Sequence, residues 1–327
     1  MTRSAVRCAL LALLAIAIGS PAVAQTFPSK PITIVVSIGA GTGMDVVTRL
    51  YAEKLSAALG QPVVVENRPG AATMLAATQV ASAPADGHTL VVLTSGALAI
   101  NPALYKSINY DPINGFVPIS LYVKSAMILV TDPKLPVKTA LEFIDHAKKA
   151  KPPISYATLG AGAIQHLCME FAKHRFGFEA TMVPYKNTGQ SVTDIATGQV
   201  HAGFVEAGAS IPLIRDGRLR ALGVSSTTRL PLLPEVPPFA EAAKAPDFEA
   251  VSWHVLLAPA KTPRPVVERL HAEMKKIMAD KAMTDKAAAI GLIPMDSPSI
   301  QGMQDYIKSE RVKWGDLVEK LGLKGTM

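Results

Sequence analysis

The chain has 327 residues, 49% of them hydrophobic and 18% charged, which excludes an intrinsically disordered protein and leaves length for two ordinary domains. Its 33 basic and 26 acidic residues give a net charge of +7, but no run of five or six like charges marks a nucleic-acid arm. Two cysteines, Cys8 and Cys168, exclude a disulfide-built scaffold. In chain order, Arg3 and Arg7 open the sequence, an unbroken apolar run follows from Cys8 to Ile18, Ser20-Pro21 breaks it, and Ala22-Val23-Ala24 precedes Gln25. This is the three-part layout of a secretory signal peptide. The apolar run is too short to span a bilayer, which takes about 20 residues. Cleavage after Ala24 removes residues 1–24, takes Cys8 with them, leaves Cys168 without an intrachain partner and predicts a periplasmic chain.

From Ile32 onward, apolar runs alternate with helical patterns. Ile32 to Val36 reads as a buried strand, and Gly39-Ala40-Gly41-Thr42-Gly43 as a loop. Asp45 to Leu59 reads as a helix, with Val46, Val47, Leu50, Leu55 and Leu59 at helical spacing and Gly60 as its C-cap. Strands at 63–65 and 90–93 flank an Ala-rich helix over 71–83 and an Asp86-Gly87 turn. The pattern restarts with a strand at 126–130 and a capping box, Thr139 to Glu142, opening a helix through Ala150. A strand over 154–157 leads into a second glycine loop, Leu159-Gly160-Ala161-Gly162-Ala163, and a helix over 164–176. Strands follow at 181–183, 198–205, 219–224 and around Trp253, and a last helix keeps Ile300, Met303, Ile307, Trp314, Val318 and Leu321 on one face. Strands alternating with helices predict an α/β fold with a mostly parallel sheet.

Strand, glycine loop and helix thus occur twice, about 120 residues apart. Each such unit points free backbone N–H groups at one place, where the helix N-terminus adds partial positive charge. Two of them suit the ends of a small anion. Gly39-x-Gly41 with Glu66 imitates a dinucleotide-binding fingerprint, but Met44 stands where its third glycine belongs and the acidic residue comes late. Nucleophile-elbow and zinc-helix motifs are absent, and the seven histidines lack metal-ligand spacing. The sequence therefore predicts no catalytic residue, no metal and no cofactor. His166, early in the second helix, is placed to orient the second loop. Lys186, after Tyr185, is placed to bring positive charge to a cleft.

Several segments resemble the extracytoplasmic solute receptors of tripartite tricarboxylate transporters, the Bug receptors. They are Gly60-Gln61-Pro62-Val63-Val64-Val65-Glu66-Asn67-Arg68-Pro69-Gly70, Ala85 to Leu90, Asn101 to Tyr105, Val183-Pro184-Tyr185-Lys186, and Trp253 with Leu256 to Pro259. The resemblance runs from Phe27 to about Leu321. It implies a two-lobed type II periplasmic-binding fold with the ligand cleft between lobes, lobe one being 25–124 plus 252–327 and lobe two 125–251. It implies capture of a small organic carboxylate by backbone amides, hydroxyls and water, with membrane permease subunits as partners and no nucleic acid. A monomer is expected; a sensing role without a permease is one alternative, and a secreted enzyme with a nucleotide-like fold is the alternative from another class. Carried over, the ligand-binding set is Ile38, Gly41, Thr42, Gly43, Met44 and Asp45 of the first loop, with Thr94 and Ser95 at the end of the third strand. From the second lobe come Gly160, Ala161, Gly162, Ala163, His166, Tyr185 and Lys186. The first loop departs from the family pattern at Ser37-Ile38, Ala40, Thr42 and Met44, and the second has Ala161 and Ala163 where serines are usual. Where the family often has Phe-Asp-Asn, this chain has Phe204-Val205-Glu206. An Asp there can face a ligand's ammonium group. Val205 removes it unless Glu206 substitutes. The expected ligand is accordingly an aliphatic or aromatic mono- or dicarboxylate.

Overall fold

The computed structural model describes residues 27–327, so the signal-peptide reading of 1–24 lies outside the described residues. Its spine is one long strand, β4 (Phe116–Thr131). The first half of β4 belongs to a sheet ordered β2-β1-β3-β9-β4, built from β1 (Ile32–Val36), β2 (Val63–Asn67), β3 (Thr89–Thr94) and β9 (Val251–Pro259), with β10 (Leu292–Pro294) on its other edge. Its second half belongs to a sheet continuing β7-β5-β6, built from β5 (Ile154–Thr158), β6 (Ala180–Pro184) and β7 (Ala202–Glu206), with β8 (Arg220–Val224) also on β4. β1 pairs with β2 and β3 in parallel, as does β5 with β6 and β7, whereas every pairing of β4 and β9 is antiparallel. The sheet is therefore mixed at the join between the two lobes of this α/β fold and parallel outside it.

Where the pattern predicts a strand over 126–130, the structure begins it at Phe116. Pro118 obscures the first half, because proline cannot donate to a ladder; the β4–β9 register shifts there, between Pro118 and Ser120, and again between Leu121 and Val123. The strand predicted over 198–205 starts only at Ala202, since Gly198 (φ 80°) is a turn residue closing a helix.

Helices cover both faces. α1 (Gly43–Leu59) starts two residues before its predicted start and ends on Gly60, whose φ of 70° lets it serve as a left-handed cap. Its Val47, Tyr51 and Leu55 are buried against β1 and β3 together with Leu270 and Met274 of a C-terminal helix. Each such side chain contributes about 1.5–3 kcal/mol of apolar burial. The helix predicted over 71–83 is shorter: Ala71–Thr73 forms a tight turn and only α2 (Met74–Ala81) is α-helical. Gly96–Ile100 coils as a π-helical turn into α3 (Asn101–Leu104). α4 (Ala140–Lys149) opens on the predicted capping box, with Thr139 Oγ1 accepting from the Glu142 amide at 3.1 Å. α5 (Ile164–Phe176) has its predicted limits. α6 (Thr188–Ala196), α7 (Ala207–Arg215) and α8 (Phe239–Ala242) complete the second half, and α9 (Arg264–Ala279), α10 (Lys281–Ala289) and α11 (Ile300–Lys320) return to the first. Among the described residues no helix is long and apolar enough to cross a membrane.

Candidate functional site

The first loop runs from β1 to α1 and is clamped from behind. Thr42 is the N-cap; its hydroxyl donates to Gly39 O at 2.8 Å and accepts from the Asp45 amide at 3.4 Å. Asp45 is almost wholly buried, and its carboxylate accepts from the Gly41 amide (2.9 Å), Arg49 Nε (3.1 Å) and Asn67 Nδ2 (2.9 Å). Burial works against its ionisation, but the hydrogen bonds from Arg49, Gly41 and Asn67 and the Arg49 charge prevail and hold its pKa below the ordinary value. Asn67 Nδ2 also donates to Ile38 O at 3.1 Å, tying β2 to the same loop.

The second loop, from β5 to α5, repeats the device with different chemistry. His166 Nδ1 accepts from the Gly162 amide at 3.1 Å. Accepting at Nδ1 places the proton of the neutral ring on Nε2, which lies 3.9 Å from Glu170. Burial lowers the His166 pKa and Lys173 adds to this, while Glu170 opposes it. Asp45 and His166 are both third residues of their helices, and each binds the amide four residues upstream. No side chain caps α5 at Ala163, which leaves its N-terminal amides open.

Both loops border one cavity of about 420 Å³, a size suited to a small ligand. Its floor is the join of the sheets. Thr94 ends β3 and Ser95 follows it, Ser125 and Met127 lie on β4, and Ser252 and His254 lie on β9. Ser125 pairs with Ser252 in the β4–β9 ladder, and Thr94 pairs with His254 across β3–β9. Ser95 Oγ donates to Ser252 Oγ at 3.4 Å. His254 is 4% exposed, its Nδ1 has no partner among the described residues, and burial pushes its pKa down to about 4, so it is neutral at physiological pH. One rim is Ala72-Thr73, which with Ala71 makes three consecutive non-glycine residues with φ of 46° (Ala71), 50° and 75°, steadied by Asn101 Nδ2 donating to Ala72 O at 2.8 Å. Such left-handed conformations cost about 1–3 kcal/mol each and cluster at functional sites. At two glycines of the cavity lining the chain comes close to a neighbouring residue. A β-carbon at Gly162 would collide with Leu104 Cδ2, and one at Gly291 would lie 2.6 Å from Ala207 Cβ.

Of the sequence-predicted set, Ile38, Thr42, Gly43, Met44, Thr94 and Ser95 line this cavity, together with Ala161, Gly162, Ala163 and Glu206. The others stand elsewhere. Gly41 and Asp45 are joined to each other behind the first loop, and Gly160 (φ 111°) supplies the bend of the second. His166 lies under that loop. Tyr185 turns its hydroxyl to Asp194 on α6 at 2.9 Å, and Lys186 is exposed. Val205 does not line the cavity; it is 2% exposed in the second-lobe core with Ile128 and Val224. Strand alternation sends Glu206 the other way, to the cavity. The sequence reading missed Ser125, Ser252, His254, Asn101 and Gln165, all of them lining residues. Ser252 and His254 had a signal, two polar residues at period two in an otherwise apolar strand. Among the described residues, no lysine or arginine lines the cavity, and Glu206 is its one carboxylate. Among the described residues that carboxyl has no hydrogen-bond or charge partner, and burial raises its pKa.

Residues 47–323 match the family model described as the tripartite tricarboxylate transporter family receptor. The chain is 33% identical over 308 residues to Protein BugT of Bordetella pertussis, covering 94% of each. It resembles an R. palustris protein solved with adipate at 33% identity and a TM-score of 0.82, covering 90% of this chain and 98% of that one. It also resembles MatC of Rhodopseudomonas palustris, solved with bound malate, at 28% identity and a TM-score of 0.77, covering 89% of this chain and 100% of that one.

Proposed function

The chain belongs to the tripartite tricarboxylate transporter receptor family, and we propose on that premise that it is a periplasmic receptor that captures a small organic carboxylate and presents it to membrane permease subunits. The observation that most supports this is the convergence of two helix-opening loops, one from each lobe, on a single cavity that no lysine or arginine lines among the described residues. Oriented amides and helix N-termini then take the place of a cationic clamp for the carboxylate. Thr42, Gly43 and Met44 on one side and Ala161, Gly162 and Ala163 on the other touch the ligand, and the hydroxyls of Thr94, Ser95, Ser125 and Ser252 line its floor. Asp45 and His166 act one step removed, by holding the loops. Lobe one is 25–124 plus 252–327 and lobe two 125–251, with the hinge at the Ser125–Ser252 pair. The adipate and malate of two similar structures support the ligand class. Ile38, Met44, Ile100, Met127 and Leu292 in the lining favour an apolar body between polar ends.

A thermal-shift screen against mono-, di- and tricarboxylates tests the reading, followed by calorimetry and a search for turnover. A ligand at 100 times its Kd stabilises the protein by about 2.7 kcal/mol. No shift with any carboxylate, or conversion of one into product, would overturn it.

A further inference from the structure

Glu206 is out of keeping with a carboxylate site. It ends β7, opposite Met127 of β4, and is the N-cap residue of α7, but its side chain makes no capping hydrogen bond. It lines the cavity where Ala207 and Gly208 of α7 abut the Ile290–Gly291 turn of the other lobe. The other titratable side chains of the lining are His254 on β9 and Tyr105 after α3; none is cationic at neutral pH. Glu206 is half-buried there, and a carboxylate partly withdrawn from water without a partner is costly. A second carboxylate brought beside it costs more, whereas a ligand N–H or ammonium removes the penalty.

Resting on the receptor reading above, we propose that Glu206 is a specificity-determining residue: it selects ligands that carry a carboxylate at one end and a hydrogen-bond donor or cation at the other, and it disfavours a second carboxylate. The strand pleat turns Val205 into the core and Glu206 into the cavity. A dicarboxylate enters by protonating Glu206, so its binding takes up a proton and strengthens as pH falls. His254 stays neutral over the same pH window and does not contribute.

Matched probes separate the charges at constant length: succinate, succinamate and 4-aminobutyrate, and adipate, adipamate and 6-aminohexanoate. Calorimetry at about pH 8 is expected to show the wild type binding an amide or ammonium member about tenfold or more tighter than the matching dicarboxylate. In Glu206→Gln the dicarboxylate gains about tenfold and the ammonium compound loses about as much. In the wild type alone, dicarboxylate affinity rises from about pH 8 to pH 6 with proton uptake, which reads the proposal even if the variant folds poorly. Dicarboxylates preferred by the wild type at pH 8, or an unchanged ranking in Glu206→Gln, would overturn the role of Glu206 and leave the receptor reading intact. Failure of every carboxylate in both proteins would overturn both.

Discussion

Gly43 and Gly162 are equivalent in the sequence, each set in a glycine loop at the mouth of a helix. In the structure they differ. Gly162 has a φ of 80°, and a β-carbon there meets Leu104, which is fully buried. Gly43 has no positive φ, and its β-carbon would touch Leu292 at an ordinary 3.7 Å. Gly162→Ala is therefore expected to lower the melting temperature through backbone strain and, by pushing the lobes apart at Leu104, to weaken ligand binding about tenfold, or 1.4 kcal/mol. Gly43→Ala is expected to change both little, and calorimetry with parallel melting curves checks the contrast. Asp45 gives a pH-dependent companion. Its folded pKa lies below its ordinary 3.8, so its ionised form stabilises the fold above that value, and the stabilisation is lost as pH falls through the folded value. Asp45→Asn is expected to cost about 1–3 kcal/mol at neutral pH. Urea melts should show the gap to wild type closing only below the ordinary carboxylate range. The glycine loops were legible because glycine and a helix start are local signals. The direction in which Val205 and Glu206 point was not, since it depends on which face of β7 meets the core.

At the scale of elements, the helices and parallel strands were largely legible because each carries its own periodicity and caps. The first half of β4 was hidden by Pro118 and by polar Ser120, Lys124 and Ser125, whose partners β9 and β10 lie more than 125 residues away in the chain. The docking of α11 on β9 was equally unreadable. The indole N–H groups of Trp253 and Trp314 both donate to Glu310 Oε2, at 2.9 and 3.2 Å, in a buried cluster. Lys313 approaches the same carboxylate at 3.4 Å and links it to Glu249 just before β9. Glu310→Ala strands two buried donors and is expected to cost about 2–4 kcal/mol. Glu310→Gln keeps an acceptor and should cost about half as much or less. Chemical unfolding followed by tryptophan fluorescence distinguishes the two; equal losses would mean that the carboxylate charge, not the acceptor, holds the helix.

At the scale of the whole molecule, the two-lobed plan could be read from the repetition of strand, glycine loop and helix, and from the resemblance to solute receptors. The floor of the cavity could not, because Ser125, Ser252 and His254 converge only once β4 and β9 pair at the join. A lining built of loops from both lobes over a shared floor makes occupancy and lobe position one variable: a ligand that touches both loops can do so fully only when they are close together.

The shared strand has a further consequence. β4 supplies hydrogen bonds to both sheets along one continuous backbone, so neither lobe can melt without exposing the edge on which the other depends. The protein is expected to lose its structure in a single cooperative step, with calorimetric and van't Hoff enthalpies equal. Native-state hydrogen exchange should find the amides of Leu121–Val130 among the slowest in the molecule, opening only through global unfolding, while those around Ala71–Thr73 exchange through small local fluctuations. Two separated calorimetric transitions would show that the lobes are thermodynamically independent despite the strand they share.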